Sequence, residues 1–426
     1  MKPDPSRLPD TLTTRLANGV RVVAVRLPHL ASASVSVFVR TGSRHEAPRE
    51  NGISHFAEHM AFKGTATRSC QQVNLDAELL GAEVNAHTDK DHTAYHMRGL
   101  AEHAGRFIEM LADIVLQPSF PEAELERERQ VILQEFAEDD DDAFSTAFKL
   151  FDQRCFGRHP LAQPVIGTRR NIERFSRAEL QRYVQRQYTG ANVVVAVAGA
   201  VEPEEMLRKA EAAFGGMPPG QPNEVPPPEY QGGIATRRLP GVSQAHVVLG
   251  FPLPSLADPG HAAAQAAAAV LGEGMSSPLM DEIRERRGLV YYAACSADLS
   301  DLAGQFVVEA SMAPEHVEAY VSEVMRLVRA QAQGVDPQHL ERARNQLAVR
   351  RLEVHERPFR RLEEAAQDLF VHGRLRSPQE LAEPLQALTP EAVRASFERM
   401  LLAPPTLVVT GRVPRGLDTR LPALLS

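Results

Sequence analysis

The sequence predicts an α+β protein made of two homologous domains of about 210 residues, each a mostly antiparallel sheet packed with helices. Three observations carry this expectation: a mid-chain stretch breaks every periodic pattern, several segments recur across it at a nearly constant offset, and strand signals mix with long helical runs without regular βαβ alternation. The chain has 426 residues, enough for more than one domain and a sizeable core. Its 43% hydrophobic and 24% charged residues are ordinary globular usage, which excludes disordered, collagen-like and coiled-coil classes.

The break is GGMPPGQPNEVPPPEYQGG at 215–233, where proline and glycine displace all periodicity. It sets an N-terminal domain at 1–216, a linker at 217–233 and a C-terminal domain at 234–426. Ahead of it, Thr11–Leu16 and Val20–Leu27 read as strands joined at Asn18-Gly19, a pair suited to a hairpin turn. Ala33–Val39 follows as a β-branched strand, two strands lie around Glu83–Arg98, and Asn192–Gly199 closes the domain. The second domain repeats these signals. Ala245–Phe251 matches Ala33–Val39 about 212 positions on, Leu340–Arg344 echoes Leu125–Arg129 at the head of a long helical pattern, and Thr406–Gly411 echoes Asn192–Gly199. The shared order and offset point to duplication of one unit.

Charge and cysteine content narrow the function classes. Forty-seven basic residues are scattered among 55 acidic ones, for a net charge of −8, so there is no footprint for nucleic acid. Cys70, Cys155 and Cys295 are far apart and lack CxxC spacing, which supports neither a disulfide framework nor a cysteine metal site and fits a reducing compartment. Met1-Lys2-Pro3-Asp4-Pro5 opens into polar sequence with no apolar h-region, and no 18-residue apolar stretch occurs. The expectation is a cytoplasmic protein that does not span a membrane.

The chemistry is concentrated in the first domain. In GISHFAEHMAFKGT the apolar residues Ile53, Phe56, Ala57 and Met60 have helical spacing, so His55 and His59, at i and i+4, share a helix face with Glu58 beside them. Two imidazoles so placed can hold one metal ion, and a neighbouring carboxylate can take a proton from metal-bound water. This is the inverted zincin order H-x-x-E-H. A further ligand is sought in the helical run Glu124–Asp142, whose apolar face reads as Val131, Ile132, Leu133 and Phe136. Glu128 and Glu135 lie seven apart on one face, so one can bind metal while the other orients a ligand. The acidic tract Glu138–Asp142 reads as a solvated surface.

At these residues the sequence resembles the M16 metallopeptidases, the inverzincins that include mitochondrial processing peptidase, insulin-degrading enzyme and pitrilysin. Glu135, 76 positions after His59, matches the family's long-range spacing. The resemblance implies one Zn²⁺ per chain on His55, His59 and Glu135, with Glu58 as general base and Glu128 orienting a ligand. Gly81–Thr88, continuing through His92-Thr93-Ala94-Tyr95, is similar to the family's strand pair beside the zinc, which implies that Asn85 and Ala86 bind the substrate main chain as an added strand. His92 and His96 are set aside as primary ligands because the set is complete without them.

The second domain has no H-x-x-E-H. Leu271–Leu279 and Ile283–Tyr291 instead resemble the family segment that bears an arginine–tyrosine pair, which implies roles for Arg284 and Tyr291 in binding substrate and stabilising the oxyanion. Two departures are visible: Pro278 stands where many relatives have arginine, and Tyr291 is followed by Tyr292. The resemblance also implies a chain that forms half of a clamshell and completes a chamber as a homodimer. The expected activity is hydrolysis of short or unfolded peptide substrates. The competing expectations are a non-catalytic scaffold of the same fold and a presequence-type processing peptidase that needs a partner chain.

Overall fold

The computed structural model describes residues 11–425; Met1–Pro5, read above for targeting signals, lie outside the described residues. The chain resolves into two compact units. The first comprises residues up to Phe136, Gln163–Val225 and Glu353–Pro378; the second comprises Ala137–Ala162, Pro226–Leu352 and the chain from Gln379 onward. Residues 217–233 thus include the passage from one unit to the other at Val225–Pro226.

The first unit is built on a six-stranded sheet. Its strands are β1 (Thr11–Arg15), β2 (Arg21–Arg26), β3 (Ser32–Val39), β4 (Glu83–Thr88), β5 (Thr93–Leu100) and β6 (Val193–Gly199), in the order β1-β2-β6-β3-β5-β4. Only the β2/β6 pair is parallel. The β1–β2 hairpin turns at Asn18-Gly19, where Gly19 has φ +97° and donates to the Leu16 carbonyl. Helices cover one face: Val22, Val35, Val37, Tyr95 and Val195 pack with Phe107, Ile108 and Leu111 of the helix Ala104–Leu116 and with Phe214. Leu362, Ala365, Ala366 and Leu369 of the helix Pro358–His372 cover the other, against Val23, Val25, Phe38, Ala94 and Val194. Burial on both faces explains why β6 is apolar throughout rather than alternating.

The second unit repeats the plan. Strands β7 (Gly233–Arg238), β8 (Ala245–Leu253), β9 (Ala293–Leu299), β10 (Gly304–Met312) and β11 (Thr406–Gly411) lie in the order β7-β11-β8-β10-β9, with only β7/β11 parallel. One face packs on the helices His261–Gly272, Val317–Gln333 and Pro390–Met400. The other meets Ala147, Phe151 and Cys155 of the helix Ala143–Phe156. Each sheet therefore takes the cover of its second face from the opposite half of the sequence. Among the described residues no helix is long and apolar enough to cross a membrane.

Two local readings are corrected. On the helix Glu122–Asp141 the buried residues are Leu125, Glu128, Arg129 and Ile132, whereas Val131 is exposed, because the ridge toward the core runs through i, i+3/i+4 and i+7 from Leu125. The tract Glu138–Asp142 is only partly solvated: Lys149 pairs with Asp139 at 2.8 Å, and Asp142 caps the next helix by accepting from the Ser145 N–H.

Candidate metal centre

The H-x-x-E-H segment lies on α1 (Ile53–Ala61). Ile53, Phe56, Ala57 and Met60 are buried against Phe120, Leu125, Ile132, Ile172, Phe175 and Tyr183, so that face is committed to the core. The start of the helix is fixed by a residue the sequence reading missed. The buried Glu46 carboxylate accepts from the Gly52 and Ser54 backbone N–H groups, both at 2.8 Å, and from Asn51 Nδ2 at 3.0 Å. Burial raises its pKa, and these donors pull it back. Gly52 sits at φ +97°, and a Cβ there would come within 2.8 Å of the Ile166 carbonyl oxygen. Ser54 Oγ and Thr41 Oγ1 both meet the Tyr183 hydroxyl, at 2.6 and 2.7 Å.

Glu128 and Glu135 come from the helix α2 (Glu122–Asp141), two turns apart. Glu135 Oε2 lies 3.8 Å from His55 Nε2 and 3.6 Å from His59 Nε2. One donor atom from each of the three residues lies within 4.8 Å of the others. At zinc–ligand lengths of 2.0–2.2 Å a tetrahedral edge is about 3.3–3.6 Å, so the Glu135–His59 separation already fits and a small contraction toward His55 would seat the ion. The donors suit it chemically as well. Burial, with His59 adding to it, holds the His55 imidazole down to about 3, leaving it neutral at ordinary pH. His59 is oriented by Glu128, whose Oε2 is 3.2 Å from Nδ1, and an Nδ1–H donated there turns the Nε2 lone pair toward Glu135. Lys63 Nζ holds the other Glu128 oxygen at 2.6 Å, which compensates a nearly buried carboxylate.

Glu58 sits beside this set. Burial raises its pKa; the Thr88 hydroxyl, donating to Oε2 at 2.7 Å, and His59 oppose the rise, while Glu135 adds to it. Thr88 lies on β4, which is the edge strand of its sheet. The same strand carries Asn85 and Ala86, and Asn85 Oδ1 accepts the Ala86 N–H at 2.8 Å. Thr88, Lys63 and Glu46 carry no motif of their own; their roles exist only through tertiary contact.

Two family models match the chain, Insulinase (Peptidase family M16) over residues 21–169 and the Peptidase M16 inactive domain over 174–347. An uncharacterized zinc protease of Rickettsia bellii is 31% identical over 399 residues, covering 93% of this chain and 97% of that protein. The chain belongs to the M16 family of metallopeptidases. Bovine mitochondrial cytochrome b-c1 complex subunit 1 is 32% identical over 318 residues, 71% of this chain and 66% of that protein. The crystal structure of a protease from Helicobacter pylori matches with a TM-score of 0.87 at 21% identity, over 95% of this chain and all of that one.

The other residues expected of this M16 chain lie in the second unit. The Arg284 guanidinium lies 5.1 Å from the Tyr291 ring centroid, on a turn of π-helix at Asp281–Arg286. The structure brings that pair together, and Tyr292 beside it is also exposed. Pro278 opens a short helix whose cap is Ser277, where a ring with fixed φ is pre-set for the first helical turn. His92 and His96 lie apart from the zinc set. Cross-strand pairing puts Asn85 opposite His96 and His87 opposite Ala94, on the face covered by Pro358–His372, whereas Thr88 reaches Glu58 from the other face.

Proposed function

We propose that the chain is a zinc metalloendopeptidase that hydrolyses short or unfolded polypeptides in a chamber closed by a second copy of itself. The convergence of His55, His59 and Glu135 beside a half-buried Glu58 supports this reading most directly. One Zn²⁺ per chain on those three residues would supply Lewis acidity toward the scissile carbonyl and acidify the attacking water. The chain's own groups do the rest. Glu58, desolvated and aligned by Thr88, takes a proton as the water oxygen bonds to the carbonyl carbon, and returns one to the amine nitrogen as the C–N bond breaks. The substrate adds to the β4 edge: its carbonyl takes the Ala86 N–H now satisfied by Asn85 Oδ1, so Asn85 holds the strand amide until substrate displaces it. Arg284 and Tyr291, contributed by the partner protomer, direct donors at the developing oxyanion. The three free cysteines accord with a cytoplasmic setting.

The likeness to the cytochrome b-c1 subunit motivates a second reading, a scaffold without turnover. Cleavage of an unfolded polypeptide and of quenched fluorescent peptides by the purified chain alone separates the two. Turnover that is lost in Glu58→Gln and after chelation supports the peptidase; a zinc-loaded, folded wild type that cleaves nothing, alone or mixed with candidate partner chains, overturns it in favour of the scaffold. Turnover only with a companion chain would instead identify a processing peptidase.

A further inference from the structure

On the opposite face of the β4–β5 hairpin from Glu58, a second set of metal-ligand side chains converges. His87 is the penultimate residue of β4, and Asp89 and His92 belong to the tight turn into β5. Donor atoms of these three residues lie within 4.8 Å of one another. The turn itself is held by one oxygen of Asp89: Oδ1 accepts the backbone N–H groups of Asp91 and His92, each at 2.6 Å, and the Asp89 N–H donates to the His92 carbonyl at 2.9 Å. That leaves Oδ2 aimed at His92 Nδ1, 3.1 Å away. The separation is close to the roughly 3.3 Å edge of a tetrahedral zinc site.

The surroundings are rich in donors and short of partners. The His87 ring lies 5.5 Å from that of His92 and 6.0 Å from that of His96, and Glu363 Oε1 is 3.9 Å from His87 Nε2. His92 Nε2 and His96 Nδ1 are both buried with no hydrogen-bond partner. Two carboxylates, Asp89 and Glu363, face these rings. A divalent cation with affinity for nitrogen would take one nitrogen from each of His87 and His92 together with the free Asp89 oxygen.

We infer that His87, Asp89 and His92 form a second binding site for a borderline divalent cation of the zinc class, distinct from the His55/His59/Glu135 set. Two imidazoles and one carboxylate favour Zn²⁺, Co²⁺ or Cu²⁺ over Mg²⁺ or Ca²⁺, which prefer all-oxygen shells. Glu363 stands where it can take the remaining position or orient His87. An ion there would tie the turn to the end of the strand that carries Asn85 and Thr88.

Equilibrium dialysis of the full chain against Zn²⁺, with metal counted per chain, tests this without recourse to activity. Wild type should bind two ions and His55→Ala/His59→Ala one, whereas adding His87→Ala and His92→Ala to that variant should leave none. Asp89→Asn provides the version safest for folding, because its amide oxygen still accepts both turn N–H groups; in the His55→Ala/His59→Ala background it should weaken the remaining ion about 10- to 100-fold. Cobalt in the same background should show visible bands of nitrogen ligation that vanish with His87 and His92. The inference is overturned if His55→Ala/His59→Ala binds no ion while wild type binds one, or if Asp89→Asn and the His87/His92 changes leave the remaining ion as tightly held as before.

Discussion

The two units share one strand plan and differ in what occupies it. Order and direction in β2-β6-β3-β5-β4 are reproduced in β7-β11-β8-β10-β9, down to the single parallel pair in the matching place. At the 212-residue offset that relates Gly199 to Gly411, His55, Glu58 and His59 correspond to Ala267, Val270 and Leu271. Those three are fully buried, on a helix, His261–Gly272, in which nine of 12 residues are buried. At the 215-residue offset of the Leu125–Arg129 echo, Glu128 and Glu135 correspond to Ala343 and Arg350, and Arg350 pairs with Glu273 at 2.5 Å. The second unit has thus turned a one-sided helix into one that is packed all round. Tertiary packing of the duplicated strands carries the fold, and a few side chains on the helical connections make up the candidate metal centre.

The largest effect expected from this contrast is at Glu58. Glu58→Gln keeps an oxygen to accept from Thr88 and leaves the three metal donors intact, so zinc content should match wild type while peptide cleavage falls by about 10²–10⁴-fold. A variant that keeps its zinc and retains full turnover would remove Glu58 from the chemistry. Next comes the contribution of the second unit. Tyr291→Phe should lower kcat by about 10²-fold if its hydroxyl meets the oxyanion, and Tyr292→Phe should change little; the reverse pattern would shift the assignment by one residue.

Two substitutions probe how the first unit holds its site. Glu46→Ala strands the Gly52 and Ser54 amides in a buried setting and removes the anchor of α1. A loss of about 2–3 kcal/mol is expected in denaturant titration, with zinc affinity falling alongside. Glu128→Gln leaves the fold but removes the charge between His59 and Lys63, and should weaken zinc by about 10- to 100-fold, with turnover partly restored by excess metal.

These positions also show what a sequence discloses. His55, Glu58 and His59 were legible because α-helical spacing alone puts them on one face, and the strands were legible because both faces of β3, β6, β8 and β11 are buried and the residues say so. Glu46, Lys63 and Thr88 were not, since each acts through a partner brought close only by the fold. The reciprocal placement of Ala143–Phe156 and Pro358–His372 was hidden for a similar reason. An amphipathic pattern declares that a helix has an apolar face, and it is silent on which sheet that face will cover.

The smallest expected effect lies in the second unit, and its sign is opposite to that of the loss at Glu46. Glu46 and Glu309 both have pKa values raised by burial, yet Glu46 is met by three N–H donors, while Glu309 Oε2, on β10, is buried with none. A raised folded-state pKa means that the native state holds its proton where the unfolded chain has released it. Stability is then lost as pH rises from the ordinary carboxylate range through the folded value. Glu309→Gln removes that loss without changing shape, so the variant should match wild type near pH 4 and become more stable than it above that, by no more than about 1 kcal/mol because the side chain is only half-buried. Melting curves across pH 4–8 read this directly. A variant less stable than wild type at neutral pH would mean that the Glu309 carboxylate has a partner worth keeping, and that the second unit, too, holds a charge for a purpose.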